Sequence, residues 1–329
     1  MNFGRIKHTV LIGLIILSVT SGCSKVSPYQ KMEGMIWNTN YHITFNGPRE
    51  LKDSVLPVLN EVGKSLSVFD DSSLVSRLNN SDSVKADRHL LKVYEASLLI
   101  NAAGGGSFDP TISPLVDAWG FGRGHTPGAD TLAIDSILKF VGINLTHRNG
   151  DYIVKDDIRT QFNFSAIAKG YGCDAVGEMF QRNGVADYMV EIGGEITLHG
   201  VSPSGGDWNI AIDAPVEGKN PGEETAMVLA LTDCGIATSG NYRNFHREGD
   251  ATFAHTISPS TGRPVIGKIL SASVVAPDCM TADGVATACM ASDNPVITLQ
   301  KSGCEGVLIF PDSIWVSPGL SHKLRSLDI

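Results

Sequence analysis

Strand-like and helix-like segments alternate along this chain without an internal repeat, and that interleaving restricts it to a mixed fold. Residues 39–45 (TNYHITF) alternate like a half-buried strand, and residues 51–66 carry apolar groups at helical spacing. Residues 73–79 read as a short helix, and 88–103 as a helix stopped by Gly104-Gly105-Gly106. Further helices are expected over 128–141, ending near Gly142, and over 166–183, ending at Gly184. Residues 152–154 and 160–164 read as a hairpin. Strands joined by turns are expected at 188–192, 195–199, 208–212 and 226–231, and 236–239, 253–257 and 271–276 continue the sheet. Helices over 283–291 and 294–301 and strands over 306–310 and 314–316 close the chain. The expected class is α+β, with mixed, largely antiparallel sheets and helices.

The N-terminus reads as a targeting signal. Arg5 and Lys7 precede the apolar run 10–19, and Thr20-Ser21-Gly22 lead into Cys23. A basic start, a short apolar core and small residues before a cleavage point are the pattern of a secretory signal peptide. The run is too short for a comfortable transmembrane helix. Cysteine straight after Ser-Gly resembles a bacterial lipoprotein signal, with Thr20 where leucine is more usual; an ordinary signal peptide with an incidental cysteine is the plainer alternative. The expected organisation is a signal peptide over 1–22, a tether over 23–31 lipidated at Cys23, and one large domain over 32–329. That places the protein on a membrane, facing the periplasm of a bacterium, and firm anchoring would need more than one acyl chain.

The formal net charge of −9 and the lack of basic clusters argue against nucleic acid as a partner. Besides Cys23 the chain has Cys173, Cys234, Cys279, Cys289 and Cys304, an odd number with no CxxC pair, so a zinc ribbon or a thioredoxin-type site is not expected. Buried free thiols are the simpler reading. No GxGxxG follows a strand and no GxxxxGK[ST] occurs, which removes the usual Rossmann and P-loop nucleotide sites.

Two stretches carry the chemistry. Residues 162–174 (FNFSAIAKGYGCD) set Lys169 beside a glycine that lets backbone approach a ligand closely. Residues 255–290 place Asp283 and Thr287 four apart, on one face if 281–290 is helical. A carboxylate and a hydroxyl on one face suit a hard cation such as Mg2+. On the residues alone, a helix-start aspartate followed by a half-buried threonine is the commoner meaning of that spacing.

Six blocks, in order, resemble the ApbE family, the FAD:protein FMN transferases. They are 67–79 (SVFDDSSLVSRLN), 106–122 (GSFDPTISPLVDAWGFG), 162–174, 190–200 (VEIGGEITLHG), 236–244 (IATSGNYRN) and 255–290, and the resemblance runs from about Gly34 to Pro311. It implies an ApbE-like two-lobed catalytic unit that binds FAD with Mg2+. Such enzymes move the FMN half of FAD onto a Thr or Ser hydroxyl of a target flavoprotein and release AMP. Extracytoplasmic flavoproteins, with redox-driven ion pump subunits as the foremost class, are the partners it implies. An FAD pyrophosphatase giving FMN and AMP, a non-catalytic FAD-binding lipoprotein, and a surface lipoprotein without a ligand are the alternatives.

Carried over position by position, the resemblance makes Asp283, Thr287 and the backbone carbonyl of Ala166 the metal ligands. Ser107, Phe108 and Asp109 fall in a loop that helps hold FAD, and Lys169 falls at a position that contacts it. Asn163 stands where the family usually has aspartate. Phe69 stands where a ring often packs near the flavin. Trp37, in Trp37-Asn38-Thr39, replaces the methionine of a Met-Gly-Thr, and its indole either stacks on a flat ring or fills core. His255 and Thr256 open the His-x-Ile-x-Pro segment, in which Ser258 replaces aspartate. His255 is read either as general base or as a cofactor ligand, and Asp283 as assisting it, a poorer base when bound to Mg2+.

Overall fold

The computed structural model describes residues 29–122, 133–216, 218, 222–240, 245–248, 251–254, 256–265 and 268–325. Strands β1 (Gln30–Ile36) and β2 (Thr39–Phe45) form an antiparallel hairpin turned by Trp37 and Asn38, at φ 50° and 60°. Two successive left-handed residues give the turn whose twist matches the flanking strands. Helix α1 (Lys52–Leu66) buries Val55, Leu59, Val62 and Leu66 along one stripe. Helix α2 (Leu74–Asn79) is capped by the Ser73 hydroxyl. After β3 (Ser83–Lys85), Asp87 caps α3 (Arg88–Ala103) through the Leu90 N–H, and α3 ends at Gly104. Helices α4 (Ser113–Ala118) and α5 (Ile134–Ile137) are short. A hairpin of β4 (Thr146–Asn149) and β5 (Tyr152–Lys155) precedes α6 (Ala168–Arg182).

Strands β6 (Tyr188–Ile192) and β7 (Glu195–His199) are joined by Gly193 and Gly194, at φ 63° and 97°. Next come β8 (Trp208–Asp213), β9 (Thr225–Leu231), β10 (Cys234–Gly240), β11 (Phe245–Glu248), β12 (Ala251–Ala254) and β13 (Ser271–Ala276). Helices α7 (Cys279–Ala291) and α8 (Pro295–Lys301) and strands β14 (Glu305–Ile309), β15 (Ile314–Val316) and β16 (Leu324–Arg325) complete the described chain.

Eight strands form one antiparallel sheet in the order β1-β2-β6-β7-β10-β13-β14-β15. Helices α6 and α7 pack against each other, α7 on β10 and β13 and α6 on β6 and β7. Ten of the thirteen residues of α7 are buried, including Ala282, Gly284, Ala286 and Ala288. A helix hydrophobic on all sides belongs in the interior, and small side chains let its neighbours approach. Gly284 sits against Ile100 of α3, where an added Cβ would lie 2.6 Å from the Ile100 side chain. The five cysteines 173, 234, 279, 289 and 304 are free thiols. No helix among the described residues is long and apolar enough to cross a membrane.

The mixed, antiparallel class agrees with the sequence reading, but several elements differ. Strands β8 and β9 leave the main sheet and pair with β16 as a separate three-stranded sheet. Strand β12 pairs with β11 in a two-stranded ribbon rather than continuing the sheet. Residues 160–164 are not a hairpin partner of β5, which pairs with β3 and β4. Their backbone is held from the side instead: the Asn79 amide accepts from Phe162 N (2.7 Å) and donates to its carbonyl (2.9 Å). The Lys155 ammonium, buried, donates to the carbonyls of Asn79, Ile158 and Thr160. Of the helix expected over 128–141, α5 and a 3-10 turn at Leu138–Phe140 are observed, and 123–132 lie outside the described residues. Strand β1 had no counterpart in the sequence reading.

Candidate active site

The α6–α7 junction is built on two carboxylates. Asp278 accepts from Thr281 N at 2.7 Å, and Asp174 accepts from Cys279 N at 3.0 Å and Met280 N at 2.8 Å. Together they satisfy free N–H groups of the first turn of α7 and complement its dipole. Thr197 donates a third bond to Asp174, so β7 is tied to the same point. Gly170 brings α6 against α7: a Cβ there would stand 2.3 Å from the Cys279 carbonyl oxygen and 2.9 Å from the Asp283 Cβ. No other residue fits that contact without moving a helix.

One turn into α7, Asp283 is 2% exposed and accepts from the Gly170 N–H at 3.1 Å. In a regular helix that N–H would go to the carbonyl of Ala166. Helix α6 begins only at Ala168, after Ile167 at φ −151°, and the Ala166 carbonyl is left without that partner. Thr287 lies one turn further along the same face, its hydroxyl 3.3 Å from that of Ser239 on β10. Asp283 and Thr287 thus share one face of α7, and the start of α6 meets that face through the Gly170 N–H. Among the described residues no group of three His, Cys, Asp or Glu is clustered as a metal site, so a cation here would rest on one carboxylate, a hydroxyl and a carbonyl.

Lys169 donates to Glu195 Oε1 at 2.8 Å, with its side chain 31% exposed and that of Glu195 6%. Burial works against the ammonium, but Asp283 and then Glu195 outweigh it and raise the lysine above its ordinary value. Burial pushes Glu195 above the ordinary carboxylate range against the pull of Lys169, and it raises Asp283 likewise. Glu195 Oε2 is buried without a hydrogen-bond partner. Two buried carboxylates therefore face a single ammonium, leaving the junction one positive charge short when both are ionised.

The loop of the second block lies beside this junction. Asp109 spends both oxygens on structure, accepting from Thr111 N and Oγ1 and from Ile143 N. Phe108 is 2% exposed and belongs to the core, its carbonyl held by the Asn101 amide at 2.7 Å. Asn163 donates its N–H to the Pro110 carbonyl at 2.6 Å, and its side chain accepts from Ser165 N at 2.9 Å. Hence 107–111 and 163–166 are neighbouring loops. Ser107 lines a cavity of about 480 Å3 between the 104–107 glycine loop and the 258–265 segment, with Thr261, Arg263, Asn294 and Lys301 also on its wall. Thr256 is half-buried at the root of that segment, its carbonyl accepting from Val265 N.

Trp37 occupies a slot between α1 and α6. A Cβ on Gly63 would meet its Nε1 at 3.0 Å, and one on Gly172 its ring at 2.6 Å, so in this structure the indole fills core. Phe69 is 66% exposed on the loop after α1. His255 and Cys23 lie outside the described residues. Glu195 and Asp174 were not singled out by sequence reasoning. Their signal was present: Glu195 directly follows the Gly193-Gly194 pair, and Asp174 is the one acidic residue of 162–174.

Comparison with known proteins supplies the family. A family model described as the ApbE family matches residues 37–305. The chain is 33% identical over 293 residues to an FAD:protein FMN transferase of Vibrio cholerae, covering 85% of this chain and 86% of that one. It is 29% identical to the FAD:protein FMN transferase of Haemophilus influenzae, covering 84% and 86%. The solved flavin transferase ApbE from Vibrio cholerae superposes with a TM-score of 0.80 at 28% identity, covering 90% of this chain and 100% of that one. The apo form of the Pseudomonas stutzeri flavinyl transferase ApbE gives 0.81 at 25% identity, covering 91% and 97%.

Proposed function

The chain belongs to the ApbE family, and on that premise we propose how it acts as an FAD:protein FMN transferase. The reaction is Mg2+-dependent transfer of the FMN half of FAD to a Thr or Ser hydroxyl of an exported flavoprotein. The hydroxyl oxygen bonds to the FMN phosphorus, the bond from that phosphorus to the bridging oxygen breaks, and AMP leaves with the oxygen. The hydroxyl proton passes to a base, for which His255 is the candidate.

The observation that carries this reading is the α6–α7 junction. There a buried carboxylate and a hydroxyl stand one turn apart on α7, and the Gly170 N–H of α6 bonds to that carboxylate rather than to the Ala166 carbonyl. That donor set is all oxygen, as a hard cation requires. Asp283, Thr287 and the Ala166 carbonyl would hold Mg2+, which when bound supplies charge neutralisation at the pyrophosphate. Lys169, fixed from below by Glu195, presents its ammonium to the same phosphates. The 107–111 loop, stiffened by Asp109, and the cavity beside it give FAD its other contacts. The body of the reaction is positioning and electrostatics. Anchoring through Cys23 would place the site outside the inner membrane, with extracytoplasmic flavoproteins such as ion pump subunits as acceptors.

The test is the mass of a candidate acceptor domain after incubation with the protein, FAD and Mg2+. The expected result is a gain of one FMN residue, lost when Mg2+ is chelated. Free FMN and AMP without acceptor gain would instead make the enzyme an FAD pyrophosphatase, and retained, unreacted FAD would make it a binding protein.

A further inference from the structure

Glu195 is given no role by the family resemblance, yet it is a buried acid at the junction with one oxygen left unpartnered. The Gly193-Gly194 turn fixes the β6–β7 register and sets Glu195 opposite Ile192, both buried on the same face of the sheet. Helix α6 then holds it at two points one turn apart. Lys169 binds its carboxylate at 2.8 Å, and the Cys173 thiol donates to its backbone carbonyl at 3.1 Å. Thr197, next on the same face of β7, is bonded to Asp174, so the whole strand edge is latched to α6. Within this rigid frame Glu195 Oε2 has no donor. An orphaned buried carboxylate oxygen is costly and calls for an explanation.

We propose that Glu195 is the positioning residue for Lys169: Oε1 aims the ammonium at the substrate phosphates, and Oε2 awaits a donor that arrives with the substrate. Phosphate oxygens are acceptors and cannot serve Oε2, whereas a hydroxyl of FAD or a water carried in with it can. The charge matters as well as the geometry. When both are ionised, Glu195 and Asp283 make the empty site favour a cation and repel an anion, so Glu195 sets the order of preference between Mg2+ and free FAD. This inference rests on the site reading given under Proposed function.

Glu195→Gln keeps the size and an acceptor and removes the charge. Three quantities test it on the purified protein: FAD affinity without metal, the Mg2+ concentration for half-maximal rate, and kcat against KM. The expected result for Glu195→Gln is tighter FAD binding without metal, a higher Mg2+ requirement, and a fall in kcat of about tenfold or more. Glu195→Asp keeps the charge but withdraws it by one methylene, so it should restore the two affinities and leave kcat low. A Glu195→Gln enzyme with wild-type affinities and kcat, or one that loses only thermal stability, overturns the proposal. Asp283→Ala run in parallel separates the two readings. If it loses Mg2+ dependence while Glu195→Gln behaves as wild type, only the Glu195 role fails. If Mg2+-dependent turnover survives in Asp283→Ala, the metal site itself is wrong.

Discussion

At the scale of single residues, His89 shows how the interior sets proton binding. Its Nδ1 pairs with the Tyr171 hydroxyl at 2.8 Å, and its side chain is nearly buried at the start of α3. Burial, then the Arg88 charge, hold its pKa below the ordinary value. The folded protein therefore binds fewer protons at this site than the unfolded chain just below the usual histidine range. Stability contributed here is present above about pH 6.5 and is lost as pH falls through the lower folded value. Urea midpoints measured from pH 7.5 to 5 should decline for the wild type, and His89→Gln should flatten that decline. A decline of equal slope in the variant would exclude His89 as its source. Residue roles were legible in the sequence only in part. Asp283 and Thr287 stand on one face of α7 because spacing dictates it. The commitment of Asp109 to Thr111 and Ile143 depends on the partner at 143, which no local pattern announces.

At the scale of elements, the α6–α7 contact is the sensitive joint. Gly170→Ala would drive a methyl into the Cys279 carbonyl and the Asp283 side chain. The helices would have to separate, at a cost of about 1–3 kcal/mol. The shift should appear as a lower denaturation midpoint together with a Mg2+ requirement raised more than the stability loss explains; an Ala variant with wild-type metal dependence would show that the joint tolerates movement. Elements with a clean period were readable: β2 alternates, and α3 runs to its glycine stop. Strand β1 (QKMEGMI) was not, because it lies at the sheet edge with Met35 71% exposed and carries little apolar signal. Residues 160–164 misled for the opposite reason. Phe162 and Phe164 both enter the core and give a strand-like pattern, while the backbone bonds go to the Asn79 side chain.

At the scale of the whole molecule, the sequence predicts tethering through Cys23. Expressed in full, the protein should sediment with membranes, and Cys23→Ser should move it to the soluble fraction; an unchanged pellet would point to a different anchor. The antiparallel class could be anticipated from interleaved short segments, whereas the division of the strands between sheets could not, since sheet membership is settled by distant pairings. One such pairing governs how the molecule comes into being. Strand β2 finds its inner neighbour β6 only after more than half the chain has been made, and Tyr41 lies opposite Ile192 in the finished sheet. The first hairpin can close early, but its inner edge stays unsatisfied until that late segment arrives, and high contact order makes such folding slow. An open strand edge invites other chains during that interval, so crowding of nascent copies, rather than instability of the finished enzyme, is what should limit its yield.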